Sequence, residues 1–180
     1  MWCQRENSTV DPGDWAKTCV VGESAGAGLA AALLIAARDQ GLAMPAAGVL
    51  FSPYADLTLS GDSMKTKAEL EPSFTAEAIA RRAADYAGGA DPADPLISPV
   101  FADLRGLPPL LIQVGTHELL LDDAVRLAAR AAAADVPVAL EVTAGVPHLF
   151  QAFAAMLEEG DAALVRVTQF LTTAFARAGA

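Results

Sequence analysis

The sequence has few cysteines, few aromatic side chains and few basic residues. It holds two cysteines in 180 residues, too few for the disulfide framework of a small secreted domain, so we expect Cys3 and Cys19 to be reduced thiols, although a pairing of the two stays open. Twelve Lys and Arg stand against 22 Asp and Glu, a net charge of −10. This balance excludes a basic footprint for nucleic acid or anionic lipid.

Long hydrophobic runs are also missing. The longest apolar stretches, such as 28–37, are far shorter than the roughly 20 residues of a membrane span. The polar first ten residues show no apolar core of a secretory signal, so we expect a soluble, cytoplasmic protein. Hydrophobic residues make up 53% and aromatics 6% of the chain, which predicts one domain with a helix-rich interior of small side chains.

Glycine and proline divide the chain into short apolar runs and longer helical patterns. The apolar runs predict four buried strands, at 18–22, 47–51, 109–114 and 138–142. Helical periodicity predicts longer helices at 24–40, 122–134 and about 161–177, and a shorter one near His148. Strands that are apolar on both faces and alternate with helices indicate an α/β domain with a parallel sheet.

Segment 60–94 has a different composition. It holds two of the three lysines, several acidic residues, a helical pattern over about 75–87 and two Asp-Pro pairs. We interpret it as an insert over the carboxyl edge of the sheet, where active-site lids are often found. The expected organisation is a single domain over 1–180 with a partial cap at 60–94.

A G-x-S-x-G motif, Gly22-Glu-Ser-Ala-Gly26, lies between the first predicted strand and the first predicted helix. In this setting the glycines permit a strained turn that exposes the serine hydroxyl above the sheet, so we expect both motif glycines to be sterically required. Ser24 is the candidate nucleophile, and the backbone amide of Ala25 is the candidate oxyanion donor. The alternative is a structural serine in a glycine-rich turn.

A serine nucleophile needs a histidine base oriented by a carboxylate. Of the two histidines, His148 follows the fourth predicted strand and is the favoured base, with His117 as the alternative. Three carboxylates follow the third strand: Glu118, Asp122 and Asp123. The two aspartates suit a helix amino terminus, so Glu118 is the favoured acid and Asp122 the alternative.

Other chemistries have weak support in this sequence. His117, Glu118, His148 and one aspartate are a conceivable mixed metal site, yet no H-E-x-x-H motif or cysteine pair accompanies them. No Walker loop or basic phosphate cradle is present either. We therefore predict no metal and no cofactor.

The motifs resemble those of the hormone-sensitive-lipase-like α/β-hydrolases, which are mostly bacterial esterases. The matching segments are 22–26, 50–57, 94–99, 107–112 and 145–148. The resemblance implies Ser24 as nucleophile, Glu118 as the acid where Asp is commoner, and His148 as base. It further implies short-chain acyl esters as substrates, in a site for which Tyr54, Phe74 and Phe150 are candidate lining residues.

The sequence departs from that family upstream of the motif. The family carries an H-G-G-G loop whose amides supply oxyanion donors, and this sequence has none. We therefore expect strands equivalent to the family's fifth to eighth, with the strand before Ser24 at an exposed edge that favours a homodimer or a complementing amino-terminal segment. Because a lost oxyanion donor can lower the rate roughly 10²–10³-fold, the alternative function is a catalytically incompetent fragment or a dimerisation module.

Overall fold

Four parallel strands form the centre of the fold, seen in a computed structural model that describes residue 15 and residues 17–179. The strands are β1 (Cys19–Glu23), β2 (Ala47–Phe51), β3 (Leu110–His117) and β4 (Val138–Pro147), and they lie side by side in the order β1-β2-β3-β4. The predicted parallel α/β sheet is confirmed. Cys3, and with it the open question of a pairing, falls outside the described residues, and Cys19 forms no disulfide within them.

Five α-helices accompany the strands in the part of the chain that the structure describes. They are α1 (Ala25–Asp39), α2 (Ser63–Thr66), α3 (Ala76–Ala87), α4 (Leu121–Ala133) and α5 (Glu158–Ala178). The short helix predicted near His148 is a 3₁₀ turn over Phe150–Phe153. The insert 60–94 contains α2 and α3, and its role as a cap stays a prediction. No helix among residues 17–179 combines the length and the hydropathy that a bilayer crossing requires.

The main core lies between the sheet and the helices α1 and α4. Its buried side chains include Leu34 and Ile35 of α1, Leu50 and Ile112 of the inner strands, and Leu127 of α4. Alanines fill much of the rest of this core, which lets the helices approach the sheet closely, as the composition predicts.

The outer strands differ from the inner ones. Strand β2 and most of β3 are buried, whereas the side chains of Val21 in β1 and Val142 in β4 are 51% and 46% exposed. The prediction that every strand is buried on both faces is therefore wrong for β1 and β4. Helix α4 packs against β3 and β4, but α5 packs against β2 and β3, so one face of β4 has little cover.

Candidate active site

The carboxyl edge of the sheet collects four polar side chains, one after each strand. Ser24 follows β1, Ser52 follows β2, Glu118 follows β3 and His148 follows β4. Because the strands are parallel and adjacent in order, all four positions lie at the same edge. This is the edge at which open α/β sheets hold their ligands.

Ser24 is held in a strained turn between β1 and α1. Its backbone has φ 51° and ψ −122°, a left-handed conformation that costs free energy for a residue with a side chain. The Ser24 N–H donates to the carbonyl of Phe51 at 2.9 Å, and the Ser24 carbonyl accepts from the N–H of Tyr54 at 3.0 Å. These bonds join the turn to the end of β2 and to the segment that follows it, which keeps the strained backbone in place.

Close packing explains some of the glycines around Ser24. A Cβ atom at Gly22 would collide with the carbonyl oxygen of Gly26, and one at Gly28 would collide with that of Tyr54. At Gly26 itself a Cβ would meet nothing within 4 Å. The expectation that both motif glycines are sterically required is therefore wrong for Gly26, and Gly28 is the second position that needs glycine.

Helix α1 begins at Ala25, whose backbone N–H lies at the amino terminus of the helix. Within the described part of the chain, no acceptor takes the Ala25 N–H, while the N–H groups of Ala27 and Gly28 donate to the Ser24 carbonyl. An unpaired amide at a helix amino terminus is a donor suited to negative charge.

Glu118 and His148 form a buried pair. Oε2 of Glu118 lies 2.8 Å from Nδ1 of His148, and the two side chains are 0% and 5% exposed. The other carboxylate oxygen, Oε1, accepts from the hydroxyl of Ser52 at 2.9 Å and from the N–H of Gly115. Because the two donors hold Oε1, the carboxylate group is oriented with Oε2 toward the imidazole.

The second imidazole nitrogen of His148 is unoccupied by any protein partner. Nε2 is buried and makes no hydrogen bond with the described residues, and the ring of Phe74 stands edge-on to the imidazole with centroids 4.8 Å apart. With the carboxylate beside Nδ1, the hydrogen-bond network assigns the proton to Nδ1 and the free lone pair to Nε2. That nitrogen can accept a proton.

The alternative candidates lie elsewhere. His117 ends β3 opposite Pro147, and among residues 17–179 it makes no side-chain hydrogen bond to Glu118. Asp122 accepts from the N–H of Ser63 at 2.9 Å, and Asp123 accepts from two backbone amides of the segment after β2. Neither aspartate bonds to His148. Nowhere in the described residues do three or more His, Cys, Asp or Glu side chains group in a way that could hold a metal ion.

A cavity of about 630 Å³ opens beside Ser24. Its walls come from the start of α1, the segment after β2, and the insert 60–94. The lining residues include Ser24, Ala25, Leu29, Tyr54, Leu57, Phe74, Ile79, Arg82, Asp85, Tyr86, Ile97 and Leu120. Most of these side chains are apolar, so the cavity favours an uncharged ligand.

Two of the three predicted lining residues face this cavity. Tyr54 and Phe74 line it, whereas Phe150 is fully buried against Val146 and Ala163 and is not part of the wall. Burial, with added repulsion from neighbouring carboxylates, raises the pKa of Tyr54 well above its ordinary value, so its hydroxyl stays protonated. That hydroxyl donates to the carbonyl of Ile79 at 3.3 Å.

Asp123 fixes the backbone between Tyr54 and Leu57, two residues that line the cavity, a role that sequence reasoning missed. Its Oδ2 accepts from the N–H groups of Ala55 and Asp56, both at 2.9 Å, while Oδ1 is buried without a partner. Burial, partly opposed by these two amides, raises the pKa of Asp123 from 3.8 to about 7.

Comparison with known proteins shows the family of the chain. Residues 1–152 match the alpha/beta hydrolase fold family, to which the chain belongs. It is 44% identical to an acetyl-hydrolase of Streptomyces hygroscopicus over 158 residues, which is 88% of this chain and 53% of the relative.

Solved esterase structures are also similar. EstE5, in crystals soaked with p-nitrophenyl butyrate, is 48% identical with a TM-score of 0.84 over 88% of this chain and 53% of that one. An esterase of the bacterial hormone-sensitive lipase family is 46% identical with a TM-score of 0.88, covering 93% of this chain and 55% of that one. The resemblance seen in the motifs is thus confirmed. The chain spans about half the length of these relatives.

Proposed function

We propose that this chain carries the catalytic groups of a serine carboxylesterase. Ser24 is the nucleophile, His148 the base and Glu118 the acid that orients it. The observation that carries the proposal is the buried Glu118–His148 pair, whose Nε2 is left without a partner at the same sheet edge as the strained Ser24. The similarity to named esterases supports the reaction class.

The reaction follows from these positions. The Ser24 hydroxyl oxygen attacks the ester carbonyl carbon while its proton passes to Nε2 of His148, and the Ala25 amide donates to the oxyanion that forms. When the tetrahedral intermediate collapses, the ester C–O bond breaks and the alcohol leaves with the proton from Nε2. Water then attacks the acyl-serine by the same route and releases the acid. Glu118 stays ionised and stabilises the imidazolium.

The cavity supports short, uncharged acyl esters as substrates. Its wall is mostly apolar, with Leu57, Ile79 and Leu120, and its two charged side chains, Arg82 and Asp85, pair with each other at 3.4 Å. Tyr54 and Phe74 add aromatic surface beside the proposed nucleophile. p-Nitrophenyl butyrate, the ester soaked into EstE5 crystals, is a suitable test substrate.

A fluorophosphonate probe tests the nucleophile directly. We expect one label per chain, on Ser24, because such probes react only with a serine whose proton is accepted by a base. Mass spectrometry of the labelled peptide identifies the site. The Ser24→Ala variant is the control and should take up no label. Equal labelling of that variant, or none of the unmodified protein, would contradict the proposed nucleophile.

The exposed edge of β1 supports a second proposal, that the chain associates through it. Val21 on this strand and Leu29 and Leu33 on the adjacent helix α1 are 51%, 59% and 55% exposed. An edge strand with unpaired backbone groups beside apolar surface is a template for strand pairing. A second copy of this chain is the proposed occupant, and a complementing amino-terminal segment is the other that fits.

Sedimentation velocity over a range of concentrations tests this association. We expect a dimer that Val21→Lys dissociates, because a charged side chain on an edge strand disfavours pairing. Val142→Lys makes the same change on β4, the opposite edge, and should leave the dimer intact. A monomer at every concentration would exclude the homodimer and favour the complementing segment.

A further inference from the structure

We infer that Ser52 is a positioning residue of the proposed triad. Its single hydroxyl group holds Glu118 and the histidine loop, the segment that carries His148 and Leu149, together. The inference rests on the proposed function, because it assigns Ser52 a task only if Glu118 and His148 act as acid and base. Ser52 lies directly after β2, between the strand that leads to Ser24 and the strand that leads to Glu118.

The Ser52 hydroxyl makes two bonds that its chemistry permits at once. It donates its proton to Oε1 of Glu118 at 2.9 Å and accepts the N–H of Leu149 at 3.3 Å. Leu149 is the residue after His148, so one oxygen atom connects the acid to the loop of the base. Glu118 and Leu149 follow two other strands and lie 66 and 97 positions from Ser52 in the chain.

The strained backbone of Ser52 indicates that a serine is needed at this position for its side chain. Ser52 has φ 44° and Leu149 has φ 54°, both in the left-handed region that favours glycine. Ser52 is fully buried, and its N–H donates to the carbonyl of Gln113 at 2.8 Å. A glycine would adopt this backbone more readily, so the hydroxyl, which glycine lacks, is the part of the residue that the site uses.

The hydroxyl controls the direction of the Glu118 carboxylate. With Oε1 bonded to Ser52 and to the N–H of Gly115, rotation of the carboxylate plane is opposed and Oε2 stays on Nδ1 of His148. Without the hydroxyl, Oε1 keeps one donor, the carboxylate turns more freely, and the N–H of the half-buried Leu149 loses its acceptor. Both changes leave the orientation of the His148 imidazole less restricted.

Two substitutions distinguish the effect of the Ser52 hydroxyl from the effect of its strained backbone. Ser52→Gly removes the hydroxyl and relieves the strain, and Ser52→Ala removes the hydroxyl and keeps the strain. We expect both to lower the second-order rate of fluorophosphonate labelling about 10- to 100-fold, the usual effect of losing a hydrogen bond to a charged group. If Ser52 served only the turn, the glycine variant would label at the unmodified rate, and the inference would be overturned.

A spectroscopic readout does not depend on activity. In the His117→Gln background, which leaves His148 as the single histidine, we expect a downfield Nδ1–H proton resonance that is protected from exchange. It should broaden or vanish in both Ser52 variants. If the resonance persists in them unchanged, the inference fails; if the unmodified protein shows the resonance but takes up no label, the proposed function fails instead.

Ser98 provides a matched control. It is also fully buried, and its hydroxyl likewise makes two bonds, donating to the carbonyl of Pro92 at 2.6 Å and accepting the N–H of Leu57 at 2.8 Å. Its hydroxyl has no contact with Glu118 or Leu149. Ser98→Ala should therefore lose stability to a similar degree and keep the Nδ1–H resonance.

Discussion

Replacing Glu118 with glutamine is expected to lower kcat for p-nitrophenyl butyrate by about 10⁴-fold, the loss found when a triad carboxylate becomes an amide. The N–H of Gly115 can only donate, so it selects the glutamine carbonyl oxygen for the position of Oε1. The amide NH₂ then faces Nδ1 of His148. Nδ1 must become an acceptor, its proton moves to Nε2, and the nitrogen that should take the proton of Ser24 is already occupied.

The controls for Glu118→Gln distinguish a change in the His148 tautomer from a loss of folded structure. Glutamine has the shape of glutamate, so the melting temperature should change little. Glu118→Asp keeps the carboxylate but withdraws it by one methylene, and a much smaller loss is expected. The second-order rate of fluorophosphonate labelling gives a measurement that does not need turnover. Glu118→Gln labelling within tenfold of the unmodified rate would remove Glu118 from the proposed triad.

The stability of the protein is expected to fall as the pH rises from about 4 to about 7, with Asp123 the main cause. Burial raises the folded-state pKa of this carboxyl to about 7, against 3.8 when it is exposed. Below pH 4 both states hold the proton and the group contributes nothing. Between the two values only the unfolded chain releases it, which favours unfolding by about 1.4 kcal/mol per pH unit and about 4 kcal/mol in all.

Urea unfolding at several pH values between 4 and 8 measures this effect. Asp123→Asn removes the titration, so its free energy of unfolding should vary less with pH and exceed that of the unmodified protein above pH 7. The asparagine carbonyl can still accept the N–H groups of Ala55 and Asp56, which preserves the segment. Asp122→Asn, one residue away and only half-buried, is the matched control. Parallel pH curves for all three proteins would contradict the role of Asp123.

Local patterns in the sequence predict the elements of this fold well. Each strand is marked by an apolar run, and the motif around Ser24 indicates its strand-turn-helix setting. The predicted ends of the third and fourth strands are wrong, because β3 and β4 continue past Gly115 and Gly145 to His117 and Pro147. Glu118 and His148 are foreseen because each directly follows a strand, and parallel strands deliver such residues to one edge. The uneven cover of β4 is not foreseen, since it depends on where α5 packs.

Features that depend on distant hydrogen bonds are not visible in the sequence. Ser52 looks like an ordinary serine before a proline, and only the folded chain brings its hydroxyl to Glu118. Asp123 has the position of a helix-start carboxylate, yet its side chain turns to a segment 67 residues away. Phe150 follows the histidine loop but points into the interior, because the 3₁₀ turn that begins there directs it away from the cavity.

The simple strand order has a consequence for how the molecule assembles on the ribosome. Each strand pairs with the one made just before it, so the growing sheet can extend in the order of translation without waiting for a distant segment. His148 arrives with the last of these strands. The nascent polypeptide therefore lacks its proposed base until β4 has been made and has docked on β3.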